Sequence, residues 1–443
     1  MKKYREPIET AIDSLSADGC GVSADGRLAV YGSLPGEKVK ALPLTRKRGK
    51  LFLKAIDVHD ESPSRVLPEC EAALSCGGCS FQHLDHPAQL DFKAGLLAEQ
   101  LVPLEPESWL PPLTGPLFGY RTKARLGVKF VEKKGRVLVG FREKQKPYIT
   151  EISCCPVLAD PCADLIEPLK DLVGSLSVSR SIPQIEIAAG DVETVLVFRH
   201  LEALTSDDES KLCSFGEHHG LRVCLQPGGA ESVHRIFPID GADLLSYSLR
   251  AFSPENSGLR FEFAPMDFTQ VNLAVNRQMV DLAVELLDPG PSDVILDAFC
   301  GIGNFSLAVA GSAGEVIGAE QSAASIERAR YNAAINGIDN ASFEVVDLHD
   351  ESAEIGGFSG INKVLLDPPR SGAESLMKKL ESQDVERVVY VSCNPETLAR
   401  DVKFLVQRGY LLRSAGIIDM FPHTTHVESI ALLTRHQSGG TSA

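Results

Sequence analysis

From about residue 280 the chain alternates short, almost entirely apolar runs with amphipathic segments. The runs typical of buried strands are VILDAFC, GEVIGAE, SFEVVD, KVLLDPP, RVVYVSC and ESIALLTR, and the segments typical of helices are VDLAVELL and SAASIERARYNAAI. Apolar strands that alternate with helices indicate a parallel sheet covered by helices on both faces. We therefore predict an α/β domain of this architecture over residues 263–443.

The two preceding parts of the chain are richer in strand patterns. Residues 1–59 contain alternating segments such as LAVYGSL and KLFLKAIDV between glycines, which indicates a small β-barrel of the OB type. Residues 60–262 begin with a linker-like stretch, include the helical segment HPAQLDFKAGLLAEQLV, and continue mostly as strands and turns. We predict three domains: the barrel over 1–59, a mixed, β-rich domain over 60–262, and the α/β domain.

The composition is that of a globular protein without a membrane span or a disulfide framework. Hydrophobic residues make up 44% and charged residues 23% of the 443 residues, and the N-terminal MKKYREPIETAID has no apolar segment behind its basic residues. Eleven cysteines in a chain without a secretion signal indicate a reducing compartment, where thiols serve metals or catalysis. We expect a cytoplasmic protein with no membrane partner.

The net charge of −16 is distributed unevenly. Residues 38–54 hold seven basic residues and no acidic one, and residues 121–146 hold ten basic and two acidic residues. Lysine-rich strand edges that only prevent aggregation would explain one such run. Two basic runs on an acidic body favour phosphate binding, because affinity for nucleic acid comes from local neutralisation rather than from total charge.

Carboxylates mark the ends of four predicted strands of the α/β domain: Asp297, Glu320, Asp347 and Asp367. Ligands of such sheets bind beyond the carboxyl ends of the strands, and the glycines of FCGIGNF allow a ligand to approach the backbone closely. A pyrophosphate would be repelled by four acids, whereas the sulfonium and ammonium groups of S-adenosylmethionine would be attracted. The pattern favours S-adenosylmethionine over NAD.

One cysteine, Cys393, ends the predicted strand RVVYVSC and faces the same crevice. Asn394 can cap the following helix and Pro395 suits its first turn, so we expect the helix dipole to lower the pKa of the thiol. A thiolate beside a methyl donor suits methylation of carbon 5 of a pyrimidine, because addition to carbon 6 makes carbon 5 nucleophilic. A base must then remove the proton of carbon 5, and Glu428 in HVESIALL is the candidate.

A second group of cysteines predicts a metal site. Cys70, Cys76 and Cys79 have the spacing C-x5-C-x2-C, and the segment CCPVL offers Cys154 or Cys155 as a fourth ligand. Four thiolates on short loops suit either zinc or an iron–sulfur cluster. The spacing is neither that of a zinc ribbon nor that of radical enzymes. Four ligands leave no open iron, which favours a structural role.

These motifs together resemble the RNA uracil-5-methyltransferase family over essentially the whole chain. The resemblance implies that residues 1–59 are a TRAM domain, that residues 60–262 hold a 4Fe–4S cluster and bind RNA, and that residues 263–443 are a Rossmann-like class I methyltransferase domain. It selects Cys155, the cysteine before proline in CCPVL, as the fourth cluster ligand. SCNPETLARD and HVES match the nucleophile and base segments of the family, and DFTQVN and DAFCGIGNF match cofactor segments. The residues that the resemblance assigns to S-adenosylmethionine are Gln270, Phe299, Asn304, Glu320, Asp347 and Asp367.

The sequence thus predicts an enzyme that transfers a methyl group from S-adenosylmethionine to carbon 5 of a uridine in RNA, through a covalent adduct of Cys393. The front domain, the cluster motif and SLPGEKV are most similar to family members that modify 23S ribosomal RNA. Asp347 and His86 depart from residues often found there, and transfer RNA is a second possible substrate. Two competing hypotheses are an iron–sulfur RNA-binding protein with an inactive methyltransferase domain and a redox enzyme. We expect a monomer.

Overall fold

The computed structural model describes residues 6–252, 258–353, 360–381 and 383–436. The chain forms two compact units, neither of them continuous in sequence. Unit 1 consists of Met1–Phe92, Pro116–Asp243 and Phe421–Thr425, and unit 2 consists of Lys93–Gly115, Leu244–Met420 and His426–Ala443. The ends of the predicted first and last domains, 1–5 and 437–443, lie outside the described residues. The division into three domains stays a prediction.

The strands and helices are numbered in chain order. The strands are β1 (Ile8–Ala11), β2 (Ser14–Leu15), β3 (Gly21–Val22), β4 (Leu28–Tyr31), β5 (Lys38–Lys47), β6 (Lys50–His59), β7 (Ser108–Trp109), β8 (Lys123–Val131), β9 (Arg136–Gly140), β10 (Gln184–Ala189), β11 (Thr194–Arg199), β12 (Arg222–Gln226), β13 (His234–Phe237), β14 (Leu245–Leu249), β15 (Leu259–Phe263), β16 (Val294–Ala298), β17 (Glu315–Glu320), β18 (Ala341–Val345), β19 (Lys363–Leu366), β20 (Arg387–Ser392), β21 (Tyr410–Ile418) and β22 (Glu428–Arg435). The helices are α1 (His86–Leu101), α2 (Ile166–Ser175), α3 (Ser206–His219), α4 (Leu273–Leu287), α5 (Ser306–Ala310), α6 (Ala323–Ile335), α7 (Glu374–Leu380) and α8 (Pro395–Val406). None of the helices within the described residues has both the length and the apolar character needed to cross a membrane.

Unit 2 is built on an eight-stranded sheet in the order β18-β17-β16-β19-β20-β22-β21-β7. The pairs from β18 to β20 are parallel, as the apolar strand pattern predicts. The last predicted strand departs from that pattern, because β22 lies antiparallel between β20 and β21. The connection from β21 to β22, residues 419–427, is too short for the helical crossover that a parallel pair requires. The sequence pattern did not predict β21.

Three helices of unit 2 begin where the sequence supplies a cap. The side chains of Asn272, Ser322 and Asn394 accept hydrogen bonds from backbone N–H groups of the first turns of α4, α6 and α8. The apolar side of α6, which includes Ile326 and Ala329, is buried. The caps of α6 and α8 follow the carboxyl ends of β17 and β20, which is the edge of a parallel sheet where ligands bind.

The N-terminal part of unit 1 forms a six-stranded sheet in the order β1-β5-β6-β4-β3-β2. The segments LAVYGSL and KLFLKAIDV supply β4 and β6, as predicted. Val30, Val39 and Leu53 belong to its buried core. β5 and β6 form a long antiparallel hairpin, and its turn residues Arg48 and Gly49 have φ angles of 45° and 83°. Glycine adopts such a conformation without strain.

A second six-stranded sheet of unit 1 has the order β13-β12-β11-β10-β8-β9. α2 packs on β9, and α3 packs on β12 and β13. The sequence pattern predicted this region only as strands and turns, so both helices were missed. A capping box formed by Thr205 and Asp208 starts α3, and the segment TSDDE carried that signal.

Candidate active site

The register of the sheet brings Cys393 and Glu428 together. Ser392 on β20 and Ser429 on β22 are antiparallel partners, and the Ser429 hydroxyl donates a hydrogen bond to the Ser392 carbonyl at 3.1 Å. The next pair along an antiparallel ladder joins the residue after Ser392 to the residue before Ser429. Cys393 and Glu428 therefore stand opposite each other where β20 ends, and both are partly buried.

The surroundings of Glu428 make it a weak acid. Burial, followed by the negative charge of Asp367, raises the pKa of Glu428 to about 8, and the cations Arg370 and Lys93 oppose this rise. A carboxyl group with such a pKa can exchange its proton near neutral pH. This property suits a group that must accept a proton during a reaction.

The prediction that the pKa of Cys393 is lowered is wrong. Burial, followed by the charges of Glu428 and Asp367, raises the pKa of this thiol above its ordinary value, and Arg370 opposes the rise. A helix N-terminus is worth too little to outweigh burial beside two carboxyl groups. The thiolate therefore becomes more accessible when these carboxyl groups are protonated.

The cap of α8 also fixes the position of Arg370. The Asn394 side chain accepts a hydrogen bond from the Glu396 N–H at 3.1 Å and donates one to the Arg370 carbonyl at 3.0 Å. The Arg370 Nη2 lies 3.0 Å from the Nδ1 of His426. The run KVLLDPP predicted a role for Asp367 alone, although the arginine that follows it is a basic group near the reacting pair.

The first glycine-containing turn after β16 leaves room for a ligand. Phe299 has a φ angle of 65°, and its N–H donates to the Ala319 carbonyl at 2.8 Å. Gly301 and Gly303 also have positive φ angles, and a β-carbon on Gly301 would meet no atom within 4 Å. The Phe299 ring lies 5.5 Å from the ring of His349. The turn thus presents an aromatic ring and open backbone at one strand end.

Two of the four strand-end acids have pKa values raised to near neutral pH. Asp297 is fully buried and accepts a hydrogen bond from the Ser306 hydroxyl, and its burial raises its pKa to about 7. Burial and the charge of Asp297 raise the pKa of Asp367 to about 7 as well. The crevice therefore carries less negative charge at neutral pH than its four carboxyl groups indicate.

The remaining two strand-end acids, Glu320 and Asp347, lie at the ends of the neighbouring strands β17 and β18. The Glu320 carboxylate accepts a hydrogen bond from the Ser322 N–H at 2.9 Å, and the Asp347 carboxylate accepts one from the His349 N–H at 2.9 Å. Each retains oxygen lone pairs for a ligand. Glu320 is partly buried and Asp347 is exposed.

The side chain of Asn304 is already engaged inside unit 2. Its Oδ1 accepts hydrogen bonds from the Tyr247 hydroxyl at 2.9 Å and the Asn276 amide at 3.1 Å, and its Nδ2 donates to Asn276 at 3.0 Å. Neither partner was predicted from the sequence, because both lie in distant elements. Gln270 is partly buried in the connection from β15 to α4.

The four cysteines assigned to a cluster line one cavity of unit 1: Cys70, Cys76, Cys79 and Cys155. Two N–H groups point at their sulfur atoms. The backbone N–H of Gly78 donates to the Cys76 sulfur at 3.4 Å, and the Gln82 amide donates to the Cys79 sulfur at 3.3 Å. Such hydrogen bonds are common around metal-bound thiolates.

Cys154, the second candidate for the fourth ligand, is exposed and does not line the cavity. Burial raises the pKa of Cys79 to about 11 and that of Cys155 to about 12, so both thiols are neutral without a positive centre beside them. Over residues 6–252, 258–353, 360–381 and 383–436, no group of three or more His, Cys, Asp or Glu side chains is arranged to hold a metal ion.

Comparison with known proteins covers nearly the whole chain. A family model described as tRNA (Uracil-5-)-methyltransferase matches residues 250–436. The chain is 47% identical to the 23S rRNA (uracil(1939)-C(5))-methyltransferase RlmD of Hahella chejuensis, over 98% of each chain. It is 44% identical to the protein of that name from Alcanivorax borkumensis, over 97% of each chain. The chain belongs to the RNA uracil-5-methyltransferase family.

A solved structure supports the same relation. The tRNA (uracil-54, C5)-methyltransferase of Pyrococcus abyssi, in complex with S-adenosyl-L-homocysteine, matches this chain with a TM-score of 0.73 and 26% identity. The match covers 96% of this chain and 100% of that one. The predicted family, the enzyme class of RNA uracil-5-methyltransferase and the use of S-adenosylmethionine are thereby confirmed.

Proposed function

We propose that this RNA uracil-5-methyltransferase acts on a uridine of 23S ribosomal RNA, with Cys393 as the nucleophile and Glu428 as the base. The observation that carries the assignment of roles is the register that sets these two side chains opposite each other. The relatives that are 47% and 44% identical are named for a uracil of 23S rRNA. Transfer RNA is the second candidate, because the Pyrococcus abyssi neighbour is named for uracil 54 of tRNA.

The arrangement supports a covalent route. When bound, S-adenosylmethionine supplies an electrophilic methyl group. The Cys393 thiolate adds to carbon 6 of the uracil, and the electron pair displaced from the carbon 5–carbon 6 double bond lets carbon 5 take that methyl group. Glu428 then removes the proton that carbon 5 still carries, the double bond re-forms, and the thiolate leaves. Nucleophile and base serve adjacent ring carbons, which is consistent with their adjacent places on β20 and β22.

The strand ends of unit 2 are our proposed cofactor site. Open space above Gly301 and the free lone pairs of Glu320 and Asp347 support it. Because the Asn304 side chain already accepts a hydrogen bond from Tyr247, we assign it the role of shaping the wall of the cofactor pocket. The full proposed set is Gln270, Phe299, Asn304, Glu320, Asp347 and Asp367, and it follows the family resemblance.

We also propose that the cysteine-lined cavity holds a 4Fe–4S cluster, with Cys70, Cys76, Cys79 and Cys155 as ligands. All four cysteines line this one cavity, which supports a site that they share. The cluster would supply positive charge that ionises the buried thiols, and it would cross-link the loop of Cys70, Cys76 and Cys79 to the segment that contains Cys155. N–H groups of Gly78 and Gln82 would stabilise the sulfur charge.

The front sheet of unit 1 is proposed as a TRAM domain of the OB type that binds RNA. Arg46, Lys47, Arg48 and Lys50 at the tip of the β5–β6 hairpin are exposed, and the described part of the chain contains no ion pair to any of them. The second basic run differs, because Lys134 and Arg136 both pair with Glu151. Unpaired exposed cations release counterions most effectively, so the hairpin is the stronger candidate for phosphate contacts. A monomeric state and a cytoplasmic location remain predictions.

A mechanism-based trap tests the proposed roles. RNA containing 5-fluorouridine has no proton at carbon 5 for the base to remove, so wild-type enzyme with S-adenosylmethionine is expected to form a complex that survives denaturing gels. Cys393→Ala should bind the cofactor but form no such complex. Cys213→Ala, which changes another partly buried cysteine, serves as the matched control. Release of the fluorinated RNA by the wild-type enzyme would exclude the covalent route.

The choice of RNA needs a separate experiment. Transcripts of 23S ribosomal RNA and of transfer RNA are offered together with labelled S-adenosylmethionine, and the modified nucleoside is mapped. We expect 5-methyluridine in the ribosomal transcript. Label found only in the transfer RNA would replace the proposed substrate while leaving the chemistry unchanged.

A further inference from the structure

A buried ion pair lies at the end of β21, the strand that pairs with the proposed base. The Lys93 Nζ on α1 is 2.6 Å from the Asp419 Oδ1, and both side chains are 1% exposed. Taking two charges out of water costs free energy that their attraction barely offsets, so such a pair is weak evidence for a role in stability. Its position in the sheet indicates a different role.

The sheet places this pair at the strand end that carries Glu428. Ile418 on β21 is the antiparallel partner of Glu428, and Asp419 is the next residue of the chain. The Asp419 N–H donates to the Leu113 carbonyl at 2.8 Å, which fixes the end of β21. Glu428 on β22 thus has a different neighbour on each side. Cys393 stands opposite it where β20 ends. On the other side, the residue that follows the end of β21 is Asp419, which forms the ion pair with Lys93.

We propose that Lys93, held by Asp419, is a positioning residue that keeps Glu428 able to act as an anionic base. This inference rests on the proposed function, because it presupposes that Glu428 takes the carbon 5 proton. Three charged groups act on the Glu428 carboxyl: Asp367 opposes its ionisation, and Arg370 and Lys93 favour it. Arg370 is exposed and screened by water, whereas Lys93 is fully buried and acts in a low dielectric.

The direction of the effect follows from linkage. Burial and Asp367 raise the pKa of Glu428 to about 8, against the charge of Lys93. Loss of the Lys93 cation leaves only Arg370 to oppose the raising causes, so the pKa of Glu428 rises further. Below that pKa, the anionic fraction of the base falls about tenfold for each additional unit. Release of product, which needs the base, then requires a higher pH.

The test measures release of the covalent adduct rather than overall activity. Unmodified 23S ribosomal RNA transcript and S-adenosylmethionine are mixed with enzyme, samples are denatured at intervals, and the methylated protein–RNA complex is quantified from about pH 6 to about pH 9. Lys93→Met is expected to accumulate this complex near neutral pH and to clear it as the pH rises, with the release profile shifted upward by about one unit or more. Lys93→Arg retains the cation and should follow the wild-type profile.

A purely structural role gives a different result. If Lys93→Met slowed release by the same factor at every pH, or left the profile unchanged, the inference would be overturned. The double variant Lys93→Met with Asp419→Asn removes both charges and leaves no unpaired buried carboxylate, so it answers the same question if the single variant does not fold. It should show an upward shift that is smaller than that of the single variant, because the negative charge of Asp419 is removed together with the cation.

Two further variants separate this inference from the proposed function. Glu428→Gln is expected to accumulate the adduct at every pH, and Cys393→Ala is expected to form none. If Glu428→Gln forms no adduct either, the roles proposed for the reacting pair are wrong. If it accumulates adduct while Lys93→Met keeps the wild-type profile, only the role of Lys93 is refuted.

Discussion

The proposed base should reduce the stability of the folded protein at neutral pH, and Glu428→Gln tests this expectation. The pKa of Glu428 is raised from 4.5 to about 8, mainly by burial. Because the folded pKa lies above the unfolded one, stability that is present below about pH 4.5 is lost as the pH rises toward 8. At 1.36 kcal/mol per unit, the loss reaches about 3 kcal/mol near pH 7. A glutamine has no proton to lose, so the variant avoids this loss.

The assay is thermal unfolding of both proteins at several pH values, under anaerobic conditions. The variant should gain on the wild type by roughly 6 °C between about pH 5 and about pH 8, taking roughly 2 °C for each kcal/mol. Any cost of burying the amide is the same at each pH and cancels in the difference. Glu327→Gln, a change at an exposed position of α6, should show no such trend. A gain for Glu428→Gln that does not vary with pH would refute the assignment of a raised pKa.

Three further predictions address the cluster, the RNA-binding hairpin and the stability of unit 1. Cys79→Ala should remove the iron and sulfide found in anaerobically purified protein, whereas Cys154→Ala should retain both; zinc in stoichiometric amount would contradict the cluster. Lys47→Ala should weaken RNA binding and flatten its salt dependence, and Lys134→Ala should change neither, as measured by titrations at several salt concentrations. Burial alone would raise the pKa of Asp208, but hydrogen bonds from neighbouring backbone and hydroxyl groups lower it below 3.8. The ionised carboxylate therefore stabilises the folded protein above pH 3.8, and this stabilisation is lost on acidification. Asp208→Asn should therefore cost about 1–3 kcal/mol of unfolding free energy near neutral pH, and this cost should shrink only as the pH falls well below 3.8, as measured by urea unfolding.

Structural features that depend on residues close together in the chain were predicted correctly. The strand that ends at Cys393, the cap at Asn394 and the helix that follows are all present, because capping and apolar runs depend on neighbours in the chain. The spacing indicated Cys70, Cys76 and Cys79, the family resemblance selected Cys155, and all four line one cavity. Arg370 was missed although its motif was noted, because an arginine after two prolines has no local feature that assigns it a role.

Features that depend on contacts between distant segments were missed or predicted wrongly. The direction of the Cys393 pKa shift was wrong, because it is set by burial and then by carboxyl groups that come from the ends of two different strands. The engagement of Asn304 by Tyr247 was not foreseen, since 57 positions separate the two residues.

The amino-acid sequence by itself determined which residues can carry chemistry and at which strand ends they stand, because apolar runs, caps and cysteine spacing are set by near neighbours. Only the tertiary structure decided how these residues act on one another. It reverses β22 so that Glu428 stands opposite Cys393, and it buries Lys93 beside the end of β21. The physical reason is that pKa values and reactivity depend on burial and on the distance between charges. Both quantities arise when segments far apart in the chain pack together.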